Sequence, residues 1–143
     1  MNEAIRELLT LSTMTLATSS LQGEPHAAAV YFVADDLKLY FFSDANSQHS
    51  RDLRENPLAA VTIYPEVWDW QAIRGIQMRG RVEVISQGEQ WQQAWQSYQR
   101  KFPFVQHLKT LVARNLLYGF QPTWLRWTDN RLGLGHKQEW HLR

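Results

Sequence analysis

Three runs of residues with strand character near the start of the chain are joined by connections too short to hold a crossover helix. The runs cover residues 13–18, 27–33 and 37–43, and the first connection contains Gly23 and Pro25, which are typical turn residues. Parallel neighbours need a crossover of about a dozen residues, so short connections require antiparallel pairing. The first third of the chain is therefore predicted to be an antiparallel meander.

Helices and further strands follow this meander. Trp91, Ala94, Trp95, Tyr98 and Phe102 recur at helical spacing, which predicts a helix over 88–101 with one broad aromatic face used for packing. The other predicted elements are helices at 2–10, 46–55 and 105–117, and strands at 58–64, 73–85, 118–127 (broken near Pro122) and 132–142. The pattern predicts a mainly β fold with helical insertions (α+β). We expect a six- to seven-stranded antiparallel barrel rather than a sandwich.

Length and composition narrow the classes of protein that fit. The 143 residues suggest one domain, 1–143, and the net charge of +1 makes nucleic acid a poor candidate partner. The chain has no cysteine, which excludes disulfides, thiol catalysis and iron–sulfur clusters. We find neither an export signal nor a run of membrane-spanning length, so we expect a cytoplasmic protein without a membrane partner. Seven tryptophans suggest a subunit interface, a flat-ring ligand, or both.

The segment 39–57 carries the most informative polar pattern. A strand ends at Ser43, and a predicted helix opens at Ser47, Gln48 and His49. Unpaired N–H groups and the positive end of the helix dipole make such a start a plausible phosphate site. An ordinary N-capping role for Ser47 explains the same residues, and on local chemistry alone it is the commoner arrangement.

This segment resembles the FMN-phosphate segment of the pyridoxamine 5′-phosphate oxidase-like superfamily. The matching pieces are Ser43, the triplet at 47–49, and Asn56-Pro57 before the next strand. A closer resemblance, to the YhbP-like branch of that superfamily, spans nearly the whole chain. It rests on Arg74-Gly75-Ile76-Gln77, Gly80, Tyr98, Phe102-Pro103 and residues 128–137.

The resemblance implies a split β-barrel that holds FMN between the two subunits of a homodimer. It places the strand from His26 to Phe32 beside the isoalloxazine ring, where short side chains let the ring approach the backbone. The cofactor-binding residues that it implies are Ala27, Ala28, Ala29, Val30, Tyr31, Ser43, Ser47, Gln48, His49, Arg74 and Gln77.

Three departures from the superfamily pattern limit the activity that is expected. Gln48 and His49 stand where the oxidases usually have Arg-Lys, and Gly75 stands where a flavin-contacting glutamine is frequent. The arginine-rich site for pyridoxine phosphate is missing as well. The resemblance and its departures together imply an FMN-binding flavoprotein without true pyridoxamine phosphate oxidase activity, and an oxidoreductase for a small organic substrate is the first hypothesis for its role.

Two other classes of function stay open at this stage. One is a flavin- or ligand-binding module without turnover, and the other is a haem-binding split barrel with His49 or His136 as axial ligand. His136, Glu139 and His141 do not predict a metal site, because positions 139 and 141 share one face of a strand and 136 lies on the other. Trp68 and Trp70 lie in a predicted loop and favour an interface role.

Overall fold

A computed structural model describes residues 2–143 of the chain. The helices are α1 (Glu3–Leu9), α2 (Gln48–Glu55), α3 (Glu89–Lys101) and α4 (Lys109–Arg114). The strands are β1 (Thr13–Ser19), β2 (Pro25–Tyr31), β3 (Val33–Asp35), β4 (Lys38–Ser43), β5 (Leu58–Ile63), β6 (Arg74–Val84), β7 (Leu116–Asp129) and β8 (Lys137–His141). Short 3₁₀ helices occupy Trp70–Ala72, Pro103–Leu108 and Asn130–Leu132.

The eight strands form one antiparallel sheet that curls into a barrel. Its order is β2-β1-β5-β6-β7-β4-β3, and β8 pairs with β7. The two ends of this order are consecutive in sequence, because β2 and β3 are separated only by Phe32. This confirms the predicted mainly β, antiparallel split-barrel fold. The structure has eight strands rather than six or seven, since the run predicted at 27–33 bends at the fully buried Phe32 and changes partner from β1 to β4.

The predicted break near Pro122 is wrong, because β7 runs through it without interruption. The register moves from Arg79 opposite Trp124 to Gly80 opposite Pro122, so β7 holds one extra residue at this point. A β-bulge of this kind accommodates a proline that cannot donate to the ladder.

Two other predicted elements are shorter than expected. The helix predicted at 105–117 is a 3₁₀ turn followed by α4, and β7 has already begun at Leu116. The strand predicted at 132–142 is reduced to β8, because Gly133 and Gly135 have φ values of 137° and 70° and interrupt the extended backbone.

The barrel has a packed interior, one outer face covered by α3 and one outer face without a covering helix in the described chain. The interior is filled by large side chains such as Leu16, Phe41 and Phe120, all fully buried. On the outside, Tyr98 of α3 and Phe102 at its C-cap pack on β3, β4 and β7, which confirms the packing role predicted for this aromatic face. The outer face of β2, β1, β5 and β6 keeps exposed or half-buried side chains. Among residues 2–143, no helix is long and apolar enough to cross a membrane.

Candidate functional site

A groove of about 490 Å³ lies on the outer face of β1, beside β2 and β5. Cross-strand pairing places Ala29 next to Thr15, and Thr15 next to Thr62, in one row across the three strands. The groove is lined by Leu11, Ser12, Thr13, Met14, Thr15, Ala29, Thr62, Tyr64, Pro65 and Glu66. Short side chains and hydroxyl groups thus form a floor that a flat ring can approach closely.

The five predicted residues of β2 divide between the two faces of the sheet. Ala27, Ala29 and Tyr31 face outward and are exposed, whereas Ala28 and Val30 face inward and are half-buried. Only Ala29 among them lines the groove. Strand β2 is the end of the sheet order, so β1 is its one strand partner in the described chain. Half of its backbone N–H and C=O groups therefore point to an open edge.

The start of α2 follows the predicted N-cap pattern. The Ser47 side chain accepts a hydrogen bond from the Ser50 amide at 3.2 Å. Unlike an ordinary amphipathic helix, α2 buries three polar side chains, those of His49, Ser50 and Asp52. Two of them are matched by partners distant in sequence, since Tyr118 donates to Ser50 and Thr18 donates to Asp52, each at 2.8 Å, and His49 contacts Ser43. The buried polar groups are thus satisfied, as low dielectric requires.

His49 lies inside this polar layer rather than on the surface. Its Nε2 is 2.7 Å from the Ser43 hydroxyl oxygen, and both residues are buried. The His26 ring stacks beside it, with ring centroids 6.2 Å apart. Burial lowers the pKa of His49, repulsion from His26 lowers it further, and Asp52 opposes the shift in part. His49 is consequently a neutral imidazole at pH 7.

Gln48 lies on the exposed side of α2 and is engaged at both ends of its amide. It donates to Asp52 at 2.9 Å and accepts from Arg51 at 2.8 Å. The structure therefore brings Ser43, Ser47, Gln48 and His49 together, but with each side chain hydrogen-bonded within the chain. Arg51 was missed by the sequence analysis, and His26 was named there only as the first residue of the strand beside the ring. Arg51 follows Gln48 by three residues, so it lies on the same helix face, which is the signal that could have found it.

Arg74 and Gln77 do not converge on one site, because they lie on opposite faces of β6. Arg74 is 3.9 Å from Glu7 of α1. Gln77 faces outward and accepts a hydrogen bond from Arg126 at 3.4 Å. Gly75 lies against Tyr64, and a Cβ at position 75 would be 3.0 Å from the Tyr64 Cβ. Tyr64 thus lines the groove beside the position where the oxidases often carry glutamine.

A stack of two arginines on a tryptophan was also missed by the sequence analysis. The guanidinium carbons of Arg79 and Arg126 lie 4.1 Å and 5.0 Å from the Trp124 ring centroid. All three side chains face outward from β6 and β7, beyond Gln77. Arg79 falls in the strand predicted at 73–85, but only the strand register reveals its pairing with Trp124.

The C-terminal polar residues are engaged in pairs. Glu139 accepts from Arg126 at 2.8 Å, and this hydrogen bond lowers the pKa of Glu139. His136 packs edge-on against Trp127, with ring centroids 5.6 Å apart. Residues 2–143 contain no group of three or more His, Asp or Glu side chains arranged to hold a metal ion.

Trp68 and Trp70 are the exposed aromatics that the sequence analysis expected. Trp68 is 96% exposed and Trp70 is 56% exposed. Their loop is fixed to the loop after β7, because the side-chain amide of Asn130 donates to the backbone carbonyl of Trp70 at 2.9 Å. The same loop begins with Tyr64 and Pro65, two walls of the groove.

Comparison with known proteins identifies the family. The family model described as pyridoxamine 5′-phosphate oxidase matches residues 1–117. The chain belongs to the pyridoxamine 5′-phosphate oxidase family. This confirms the resemblance stated from the sequence.

Individual members of this family place the chain in the YhbP-like branch. It is similar to UPF0306 protein plu4501 of Photorhabdus laumondii, with 30% identity over 136 residues, covering 94% of this chain and 91% of that protein. It is 28% identical over 127 residues to UPF0306 protein YhbP of Escherichia coli, covering 83% of this chain and 78% of the relative.

A solved structure with a similar fold is that of HutZ, the haem storage protein of Vibrio cholerae. The TM-score is 0.74 at 19% identity, covering 83% of this chain and 87% of HutZ. At this identity, the similarity shows a shared pyridoxamine 5′-phosphate oxidase-like fold and nothing of the ligand.

Proposed function

We propose that the protein is an FMN-binding flavoprotein whose flavin ring lies in the groove over Ala29, Thr15 and Thr62. The observation that carries this proposal is the groove itself, whose floor of short side chains ends at Ala29 of β2, the strand at the edge of the sheet. A planar heterocycle can stack on such a floor, and its ring edge can hydrogen-bond to the free N–H and C=O groups of β2. This arrangement suits the flavin binding found in the pyridoxamine 5′-phosphate oxidase family.

The phosphate of FMN is proposed to lie toward the start of α2. His26 is three residues before Ala29 on β2, which is about 10 Å along the strand. A ribityl chain that follows β2 would therefore lead from the groove to His26, whose ring stacks beside His49 at the start of α2. Arg51 is the charged side chain nearest to Gln48 in sequence and is hydrogen-bonded to it. His49 is buried and neutral at pH 7. We expect a weaker phosphate site than one with two fixed cations.

FMN, when bound, supplies the hydride and electron chemistry, and the side chains around it orient a small organic substrate and exclude water. Thr15 and Thr62 offer hydroxyl groups at the floor, and Tyr64 borders one wall. Thr62 already donates to the Ile76 carbonyl at 3.1 Å, which fixes its rotamer. Neither a nucleophilic side chain nor a metal ion is needed for such chemistry.

The first test is the absorption spectrum of the purified protein, followed by titration with FMN and riboflavin. We expect flavin bands and tighter binding of FMN than of riboflavin, by a modest factor. Gln48→Arg should widen that difference, because it adds a charge-assisted contact at an exposed position. His49→Lys is not a clean probe, since it would place an ammonium group against the buried Ser43. Equal affinities for both ligands, unchanged by Gln48→Arg, would show that α2 is only a capped helix.

We also propose that the protein is a homodimer, built on the outer face of β2, β1, β5 and β6. This face lacks a covering helix within the described chain, and at its β6 side Arg79 stacks on Trp124 of β7, together with Arg126. Aromatic and arginine side chains are enriched in interfaces. Sedimentation at micromolar concentration should give twice the monomer mass of 16.8 kDa. A species of monomer mass alone would contradict the proposal.

Haem is the second candidate ligand, because the haem storage protein HutZ has the same fold. His49 suits axial ligation poorly, since its Nε2 is occupied by Ser43. His136 is half-buried beside Trp127 and is the better candidate. A Soret band that disappears in His136→Ala would favour haem over FMN. If the protein binds FMN but NAD(P)H does not reduce it, a binding module without turnover is favoured instead.

A further inference from the structure

The side chain of Lys101, at the end of α3, holds two separate parts of the chain together. Its Nζ donates to the carbonyl oxygens of Leu11 at 2.7 Å, Phe32 at 2.9 Å and Leu9 at 3.4 Å. Leu9 and Leu11 lie at the end of α1 and just before β1, and Phe32 is the bend between β2 and β3. An ammonium group has three N–H donors, so each carbonyl is matched by one.

The environment of this ammonium group favours the charged form in one way and opposes it in another. Nζ lies 3.9 Å from the Phe32 ring centroid, within range of a cation–π interaction. Burial acts in the opposite direction and lowers the pKa of Lys101 to about 8. Lys101 is therefore charged at neutral pH and loses its proton in mildly alkaline solution.

Two of the three carbonyls belong to segments that border the groove. Leu11 is itself a wall of the groove and is followed by Ser12 and Thr13. The Phe32 amide donates to the Ser12 carbonyl at 3.3 Å, which joins this wall to the end of β2. Strand β2 also carries Ala29 on the floor. Lys101 is thus bonded to the backbone on both sides of one end of the groove without lining it.

We propose that Lys101 is a positioning residue that fixes the separation between the Leu11–Thr13 wall and β2, and thereby the affinity of the groove for its planar ligand. The inference rests on the proposed function. A neutral amine has only two N–H donors and loses the cation–π interaction, so at least one carbonyl is released when Lys101 loses its proton. Ligand binding should accordingly weaken in alkaline solution.

Other titratable or charged groups surround Lys101, and their contribution to the pH dependence is the same in every variant compared. They are Arg6 of α1, Tyr31 of β2, Asp36 in the turn after β3, and Tyr98 and Arg100 of α3. Burial raises the pKa of Tyr98, which keeps that phenol protonated in the alkaline range tested. All of these groups are present in each variant, so a pH effect that disappears with Lys101 belongs to Lys101.

The test compares FMN binding at about pH 7 and about pH 9.5 in wild type, Lys101→Met, Lys101→Arg and the exposed-lysine control Lys109→Met. We expect Lys101→Met to bind FMN about three- to tenfold more weakly at pH 7. Wild type and Lys109→Met should lose a similar factor on going to pH 9.5, whereas Lys101→Arg, which stays charged, should not. Identical pH profiles in wild type and Lys101→Arg would overturn the proposal, even if Lys101→Met does not fold.

Hydrogen exchange without ligand separates this inference from the proposed function. Amides of residues 11–15 and of Phe32 should exchange faster in Lys101→Met than in Lys109→Met, and faster in wild type at pH 9.5 than the change in intrinsic rate explains. If no variant binds FMN but these amides respond, the FMN proposal fails and the positioning role stands. If FMN binds and the amides do not respond, the positioning role is refuted.

Discussion

Gly80→Ala is expected to destabilise the protein by about 3 kcal/mol, at the upper end of the cost of overpacking. A Cβ at this position would overlap the carbonyl oxygen of Gln121 and would lie 2.8 Å from the Pro122 Cα. Both obstacles are backbone atoms, so no side-chain rotation can relieve the overlap. The strands β6 and β7 would have to separate at the bulge, where they form the most extensive pairing in the sheet.

Chemical denaturation monitored by tryptophan fluorescence measures this loss, and Gly23→Ala is the matched control. Gly23 has a φ of 83°, but a Cβ there would meet no atom within 4 Å. Its substitution should cost about 1 kcal/mol from backbone strain alone. If Gly80→Ala destabilises the protein no more than Gly23→Ala does, the bulge opposite Pro122 is free to shift, and the overlap does not determine stability.

The sequence predicted the secondary-structure elements that are determined by neighbouring residues, such as turn and helix-capping residues. Short turns around Gly23 required antiparallel pairing, and the capping pattern of Ser47 correctly opened α2. The bend at Phe32 could not be predicted in this way, because the apolar pattern continues through it. Only the barrel as a whole requires one half of the segment to pair with β1 and the other half with β4.

The candidate site likewise depends on contacts between distant parts of the chain that the sequence pattern does not reveal. Alternation groups Ala27 with Ala29 on one face of β2, but alanine has too little hydrophobic preference to show which face is buried. The burial of His49 depends on Ser43, and that of its neighbours in α2 on Tyr118 and Thr18, which lie far from them in sequence. A sequence alone favours a solvated face for such polar residues. The Trp124 stack likewise depends on a register between distant strands.

The two faces of β2 decide which residue can probe the proposed flavin ring site. A bulky residue at Ala28, the middle one of the three consecutive alanines, would face inward, on the same side of β2 as Val30, which packs against the barrel core. It would disturb the fold as well as any ligand. Ala29 is exposed, lines the groove and pairs with Thr15, so a larger side chain there projects into the space proposed for the ring.

Ala29→Leu is therefore expected to weaken FMN binding by about 1–3 kcal/mol, or about five- to 150-fold, with little change in stability. The physical reason is that added methylene groups remove the close approach of a flat ring to the floor and to the backbone of β2. Titration calorimetry measures the affinity, and thermal unfolding reports whether the fold is retained.

Ala113→Leu is the matched control, because it adds the same side chain at an exposed position of α4, away from the groove. Ala27→Leu refines the map: it lies two residues from Ala29 on the same face and outside the groove walls, so a smaller loss is expected. Ala29→Leu, Ala27→Leu and Ala113→Leu should thus rank in that order of effect. If Ala29→Leu binds FMN as well as Ala113→Leu does, the flavin ring lies elsewhere, and the outer face of β1, β2 and β5 is not the ligand site.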